Sequence, residues 1–204
     1  MKKHIVILVS LAAILAAGCT AEKKTPAIPQ DAVIEKNIKG WLSKMTLEEK
    51  VGQMLQINLD VIGSFDDSGA APGSWKLNEE FADSLIRVYK VGSFLNCPGK
   101  ALSREEWNTV ISKLNELSIK HMGIPTLYGL DHNHGVTYSL GGTLFPQPIN
   151  TAASFNTELV RTMAEVTAYE SRAGNCPWVF NPVLDLGRDP RWSRIWESFG
   201  ESPL

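Results

Sequence analysis

The feature that most restricts the fold of this chain is an alternation of helical and extended apolar patterns. Short extended runs are predicted at 55–59, 91–95, 126–130 and 178–180. Helical patterns are predicted after the capping box at 46–49, over 79–89, after a second capping box at 103–106, and from Asn156 to about Arg172. Strands interleaved with helices predict right-handed βαβ units, and hence an α/β fold around a parallel sheet.

Two architectures fit this alternation, a (β/α)8 barrel and a doubly wound open sheet. No glycine-rich phosphate loop follows the first predicted strand, so the dinucleotide-binding form of the open sheet loses support. In either architecture the polar residues just beyond the strand ends gather on one face, where such folds carry their sites. These residues are Asp60, Asn96, Asp131 and Asn181.

The first thirty residues have the pattern of an export signal followed by a tether. Lys2 and Lys3 precede an apolar run at 5–17, which is shorter than the roughly 20 residues needed to span a bilayer. The run ends at Gly18-Cys19, which resembles a bacterial lipobox, although an ordinary secretory signal with an incidental cysteine is the alternative. We expect a signal peptide at 1–18, lipidation of Cys19 and a polar tether at 19–30. This predicts a periplasmic or outer-membrane lipoprotein of a Gram-negative bacterium, with membrane contact only through the lipid.

The charge of the chain argues against one class of partner, and its cysteines do not predict a disulfide. Loss of Lys2 and Lys3 with the signal would lower the basic residues from 20 to 18, against 22 acidic residues. A mildly acidic chain without basic clusters argues against a nucleic-acid partner. Cys97 and Cys176 are distant in sequence and each suits a small buried position, so we do not expect a disulfide between them.

Asp131 is the first candidate for chemistry. It follows the predicted strand at 126–130, within the polar segment 124–135. A carboxylate at the mouth of a strand can accept hydrogen bonds from two neighbouring sugar hydroxyls, and its charge strengthens them. An aspartate that caps the next loop or pairs with an arginine is an equal alternative from the residues alone.

A second polar segment, 181–201, is crowded with charges. Its arginines are Arg188, Arg191 and Arg194, and its acidic residues are Asp185, Asp189, Glu197 and Glu201. Guanidinium groups favour paired carboxylates, so most of these predict an ion-pair network that holds a long loop. One arginine facing the cleft would suffice to bind sugar hydroxyls. Trp192 and Trp196 can each offer an apolar face to a sugar ring, or be buried instead.

Other catalytic constellations are poorly supported. His132 and His134 flank Asn133, but zinc sites need three or four ligands and no further cluster of histidine and cysteine is present. A Ser-His-Asp hydrolase is weakened by the lack of a G-x-S-x-G elbow. We therefore expect neither a metal ion nor a cofactor.

Several motifs in the same order resemble glycoside hydrolase family 3, specifically its bacterial β-glucosidase branch. The likeness begins at 45–54, continues through 91–99, and extends over the two polar segments to the end of the chain. The resemblance implies that residues 31–204 form the N-terminal part of a (β/α)8 TIM-barrel domain.

The resemblance also implies roles for individual residues. The aspartate of the motif Y-G-x-D-x-x-H-G, here Asp131, binds hydroxyls of the sugar whose bond is cleaved, and the last arginine of R-D-P-R-W-S-R, here Arg194, joins it. His134 and Trp192 are further candidate cleft residues. Family members specific for N-acetylglucosamine carry D-Q-E-G-G-R after this strand, whereas this chain carries D-H-N-H-G.

Two positions depart from the family pattern. Ser193 replaces the glycine of R-W-G-R, which changes local backbone freedom, and Ser202 replaces the aspartate of G-E-D-P. Serine and aspartate both hydrogen-bond nearby backbone, but only aspartate carries charge.

By the same resemblance the parent protein is a retaining enzyme that releases terminal β-D-glucose from β-glucosides and β-linked oligosaccharides. Retaining enzymes use a nucleophile and a separate acid/base carboxyl about 5 Å apart. Both are expected beyond Leu204, so we expect this chain alone to be inactive. Two alternatives stay open: a non-catalytic, lipid-anchored sugar-binding protein, and a family member with β-xylosidase specificity.

Overall fold

The computed structural model describes residues 29–65 and 75–202. The signal peptide, the lipidation of Cys19 and most of the tether are predicted for residues outside these ranges. The chain divides into two units, Met1–Lys44 and Met45–Leu204. Among the described helices, none is long and apolar enough to cross a membrane.

The first unit contains helix α1 (Ala32–Lys44), which the sequence patterns above do not predict. Asp31 begins it, because its Oδ1 accepts hydrogen bonds from the backbone N–H groups of Val33 (2.7 Å) and Ile34 (3.1 Å). An aspartate before an apolar helical pattern is the signal that would have predicted it.

The second unit alternates strands and helices along the chain. Its strands are β1 (Gln56–Asn58), β2 (Gly63–Phe65), β3 (Trp75–Leu77), β4 (Ser93–Leu95), β5 (Leu127–Leu130) and β6 (Trp178–Val179). Its α-helices are α2 (Leu47–Gln53), α3 (Glu79–Tyr89), α4 (Arg104–Met122), α5 (Pro148–Ala152) and α6 (Thr157–Ala173). Short 3₁₀ helices cover Leu59–Ile62 and Ile195–Glu197.

The strand order agrees with the barrel among the two predicted architectures. Four strands form one parallel sheet in the order β1-β4-β5-β6, while β2 and β3 form a separate antiparallel pair. Each new parallel strand joins the edge left by the one before it. A doubly wound sheet reverses direction at a switch point, and the four strands in the described part of the chain show no reversal. The winding is that of a (β/α)8 barrel, which confirms the predicted fold class.

The predicted helix starts are confirmed by their caps. The Thr46 hydroxyl accepts from the Glu49 N–H (3.2 Å), and the Glu49 carboxylate accepts from the Thr46 N–H (3.0 Å). Ser103 and Glu106 repeat the arrangement at the start of α4, at 3.1 and 2.7 Å. Each box satisfies two backbone donors that a helix start leaves unpaired.

The core lies between α3, α4 and the parallel sheet. The four residues predicted for the buried face of α4 are all buried: Trp107, Val110, Ile111 and Leu114. The Trp107 ring meets the Tyr128 ring of β5 edge-on, with centroids 5.5 Å apart, and its indole N–H donates to the Tyr138 carbonyl at 3.0 Å. The indole is therefore buried with its one donor satisfied.

Helix α2 and strand β4 approach so closely that the chain needs a glycine between them. A Cβ on Gly92 would come within 2.4 Å of the Gln53 carbonyl oxygen. On its other side, the Gly92 carbonyl accepts from the Leu127 N–H (3.0 Å) and the Thr126 hydroxyl (2.9 Å). Gly92 is held from both sides, and no side chain fits there without moving the backbone.

Both cysteines of the second unit are free thiols. Cys176 is buried and Cys97 is partly buried. Burial raises the pKa of each to about 11, so neither is a thiolate at neutral pH.

The elements that sequence patterns miss are the short ones. The strand predicted over 55–59 is β1, and it gives way to a 3₁₀ helix at Leu59. The antiparallel pair β2–β3 is not predicted, because three residues per strand are too few to show an alternation. Helix α5 is also missed, with five residues and no side-chain cap.

Candidate functional site

Of the four polar residues predicted to gather on one face beyond the strand ends, Asp131 is the one that lines a cavity. Asp131 follows β5 and lines a cavity, whereas Asp60 lies in the 3₁₀ helix after β1. Asn181 follows β6 and donates its side-chain N–H to the His132 carbonyl at 3.4 Å, a contact within the loop framework. Asn96, after β4, is not among the cavity residues either.

The cavity at this end of the sheet has a volume of about 400 Å³. Its walls combine the loop after β5 with the turn around the second 3₁₀ helix. The lining residues are Asp131, Asn133, His134, Thr137, Tyr138, Gln147, Arg194, Trp196 and Glu197. Asp131 and Arg194 thus line the same cavity, and His134 lines it as well. Trp192 is not among the lining residues, whereas Trp196 is.

Asp131 is a half-buried carboxylate with charged neighbours of both signs. Burial raises its pKa above the ordinary value for aspartate, Arg194 opposes that rise, and Glu197 adds to it. A partly desolvated carboxylate forms stronger hydrogen bonds to a ligand than one in open water.

Arg194 is held along one edge of its guanidinium. Its Nε donates to Glu197 Oε1 at 2.8 Å and its Nη2 to Glu197 Oε2 at 2.6 Å. The Glu197 Oε2 also accepts from Asn133 Nδ2 at 3.0 Å. The hydrogen bonds from Arg194 and its positive charge outweigh partial burial, so the pKa of Glu197 is lowered and the carboxylate stays ionised.

The other two arginines of this segment lie outside the cavity lining, and of these Arg191 forms an ion pair as predicted, whereas Arg188 contacts a backbone carbonyl. Arg191 Nη2 donates to Asp189 Oδ2 at 2.6 Å, and Arg188 Nε donates to the Glu201 carbonyl at 3.3 Å. Of the three arginines in this segment, Arg194 is the one that lines the cavity.

The two histidines after β5 have different surroundings. His134 Nδ1 donates to the Phe145 carbonyl at 2.9 Å, which fixes the ring at the cavity wall. His132 is 1% exposed and its Nδ1 lies 2.7 Å from the Ser171 hydroxyl of α6. Burial lowers the pKa of His132 to about 4, so the ring is neutral. Within residues 29–65 and 75–202, no three His, Cys, Asp or Glu side chains are grouped so that they could hold a metal ion.

Sequence reasoning missed the importance of Glu197 and Asn133. Glu197 was only one acid in a crowded segment, yet it is the partner of Arg194. The signal that would have found it is spacing, since residues three apart lie on one face of a helical turn. Asn133 has no such signal, because its partner is 64 residues away.

Comparison with known proteins supports the resemblance seen in the motifs. The family described as Glycosyl hydrolase family 3 N terminal domain matches residues 46–204. A lysosomal beta glucosidase of Dictyostelium discoideum is 37% identical over 176 residues, which cover 81% of this chain and 21% of that protein. A periplasmic beta-glucosidase/beta-xylosidase of Dickeya chrysanthemi is 33% identical over 172 residues, covering 79% and 25%.

A solved structure shows the same fold. The exo-1,3/1,4-beta-glucanase ExoP of a Pseudoalteromonas species superposes with a TM-score of 0.69 at 29% identity, over 85% of this chain and 21% of that one. The chain therefore spans about a fifth to a quarter of the length of these proteins.

Proposed function

Since the chain belongs to glycosyl hydrolase family 3 through that family's N-terminal domain, we propose that it forms the sugar-binding part of a β-glucosidase. The complete enzyme, by which we mean a protein that continues these residues through the remaining barrel strands, would release terminal β-D-glucose from β-glucosides and oligosaccharides. The observation that carries the proposal is the shared cavity of Asp131 and Arg194. Relatives named as β-glucosidases support the substrate class.

The chemistry of the cavity suits a sugar. A carboxylate accepts hydrogen bonds from hydroxyl groups and a guanidinium donates to their oxygens, so together they can grip one polyol ring. Trp196, 47% exposed at the wall, offers an apolar ring face of the kind that sugars stack against.

The carboxylates of this cavity do not supply the catalytic pair. A retaining glycosidase needs a nucleophile and a protonatable acid about 5 Å apart. Glu197 accepts three hydrogen bonds and its pKa is lowered, so it cannot serve as the acid. Asp131 is then assigned to hydroxyl binding, and the nucleophile and acid/base are proposed to lie on later barrel strands.

The decisive experiment measures hydrolysis of an aryl β-D-glucoside by the complete enzyme and by the 204-residue chain. We expect turnover with retained anomeric configuration in the first and no turnover above buffer in the second. Asp131→Asn in the complete enzyme should lower kcat/KM roughly 100-fold, because two charge-assisted contacts to hydroxyls are weakened.

Asp189→Asn is the matched control. Asp189 lies in the same protein on the 181–201 segment and pairs with the exposed Arg191, so its loss should change kcat/KM by no more than about twofold. Turnover by the 204-residue chain would contradict the assignment of the catalytic pair. Full activity of Asp131→Asn would contradict the sugar-binding site, and a complete enzyme that binds glucose without hydrolysis would favour the non-catalytic binder.

A second candidate activity is the hydrolysis of β-xylosides, which the name of the Dickeya relative favours. Glucose and xylose differ in the hydroxymethyl group on C5, and the cavity residues described above do not include a wall assigned to that group. The ratio of kcat/KM for aryl β-glucoside and aryl β-xyloside separates the two, and a ratio above one supports the glucosidase.

We also propose export and lipid anchoring through Cys19. A relative named as periplasmic supports export, while the anchor follows from the residues 16–19 alone. Labelling cells with radioactive palmitate tests the anchor: the wild type should carry label and Cys19→Ser should not.

A further inference from the structure

We propose that Glu197 is a positioning residue for sugar binding, which holds Arg194 and sets its place relative to Asp131. The inference rests on the proposed function and deepens it, because it assigns a role to a residue that need not touch the sugar. Its basis is a three-residue network of Arg194, Glu197 and Asn133.

Glu197 occupies one edge of the Arg194 guanidinium. The two hydrogen bonds to Glu197 use Nε and Nη2, the side edge of the group. Among the described residues, Nη1 has no hydrogen-bond partner. Side-on pairing therefore fixes the plane of the guanidinium and leaves donors at its far end for a ligand in the cavity.

The ion pair is anchored to the loop after β5 through Asn133. The Glu197 carboxylate accepts a third hydrogen bond at Oε2 from Asn133, which is 7% exposed and lies two residues after Asp131. One carboxylate thus connects the segment that carries Arg194 to the loop that carries Asp131. The separation of the two proposed sugar contacts depends on this link.

The burial of Glu197 makes this ion pair stronger than a typical surface pair. Exposed ion pairs add little, because two flexible side chains lose entropy and water screens the charges. Here the Glu197 side chain is only 14% exposed and the contact is bidentate, although the Arg194 side chain is 55% exposed. Arg194 is therefore already ordered before the sugar binds. Binding then costs less side-chain entropy, which increases the affinity for the sugar.

Local structure holds Glu197 in place. It ends the 3₁₀ helix Ile195–Glu197, and the buried Ser198 that follows donates its hydroxyl to the Ile195 carbonyl at 2.9 Å. Arg194 and Glu197 are three residues apart on this turn, so the pair forms without long-range folding.

A double-mutant cycle in the complete enzyme tests the inference. Glu197→Gln should lower kcat/KM for the aryl glucoside about 10- to 100-fold, because an amide N–H replaces an acceptor and faces donors. Arg194→Met alone should cause a loss at least as large. If Glu197 acts through Arg194, the double variant should be no worse than Arg194→Met, whereas independent roles would multiply the two losses.

Glu201→Gln serves as the matched control, since Glu201 is exposed on the same segment and its backbone carbonyl, not its side chain, accepts from Arg188. Its kcat/KM should stay within about twofold of the wild type. If the two losses in kcat/KM multiply in the double variant, or if Glu197→Gln keeps the wild-type kcat/KM, the positioning role is wrong and the proposed function still stands. A wild type that hydrolyses no aryl glycoside overturns the proposed function, and this inference with it.

Discussion

Asp131 and Glu197 are two carboxylates in one cavity, and their surroundings move their pKa values in opposite directions. Burial raises the pKa of Asp131, while the hydrogen bonds from Arg194 lower that of Glu197. The difference arises because both oxygens of Glu197 accept hydrogen bonds from Arg194. Asp131 accepts no hydrogen bond from Arg194 among the described contacts. We therefore assign contact with the ligand to Asp131 and positioning of Arg194 to Glu197.

His132 provides a prediction of pH dependence at the same scale. Burial lowers its pKa from 6.5 to about 4 in the folded chain. As the pH falls below about 6.5, His132 becomes protonated in the unfolded chain, whereas in the folded chain it stays neutral until about pH 4. The free energy of unfolding therefore decreases between these two pH values. The loss from this group is on the order of 3 kcal/mol.

Urea unfolding of the complete enzyme between about pH 7.5 and about pH 4 measures this effect. His132→Asn keeps a polar group near the Ser171 hydroxyl but removes the titration, so its stability should fall less steeply than that of the wild type over the window. Glu165→Gln, an exposed change on α6, is the control and should follow the wild-type slope. Parallel slopes for His132→Asn and the wild type would rule out this role for the histidine.

At the scale of elements, sequence patterns predict what depends on neighbours along the chain. Helix α3 has the predicted bounds, both capping boxes are present, and the buried face of α4 is the predicted one. The candidate site is harder, because sequence places Asp131 and Arg194 beyond strand ends but not the Asn133 contact across 64 residues. Trp196 lines the cavity and Trp192 does not, a difference that depends on long-range packing and that no local sequence pattern predicts.

The close approach of α2 and β4 yields a prediction about Gly92. Gly92→Ala would push a methyl group into the Gln53 backbone, and the hydrogen bonds from the β5 side oppose a shift away. We expect a loss of about 1–3 kcal/mol in the free energy of unfolding, as for other overpacked sites. Chemical denaturation of the complete enzyme measures it.

Gly174→Ala is the corresponding control. The nearest atom to a new Cβ there is the Ser171 carbonyl oxygen at 3.5 Å, an ordinary contact, and φ is −83°. Its stability should change by no more than about 1 kcal/mol, because Gly174 is buried but the new methyl group meets its neighbours only at ordinary contact distances. Equal stabilities for the two variants would mean that β4 can move away from α2.

At the scale of the whole molecule, the parallel sheet has two free sides within the described residues. There β1 pairs only with β4, and β6 only with β5. Apolar side chains in β6 and in the segment after it are also exposed, with Trp178 at 40% and Leu184 at 82%. Unpaired strand edges beside apolar surface are templates for association with other chains.

We therefore expect the purified 204-residue chain to form oligomers or aggregates, and the complete enzyme to have no such edges because a closed barrel leaves none. Light scattering coupled to size-exclusion chromatography compares the two at equal concentration. A monomeric 204-residue chain that melts in one sharp transition would contradict the expectation.

The unreversed order of the parallel strands has a consequence for synthesis. Because β4, β5 and β6 each dock beside the parallel strand made just before, a nascent chain leaving the ribosome always meets an edge that already exists. No earlier strand has to be displaced to admit a later one, so assembly of the sheet can follow translation from its first strand to its last.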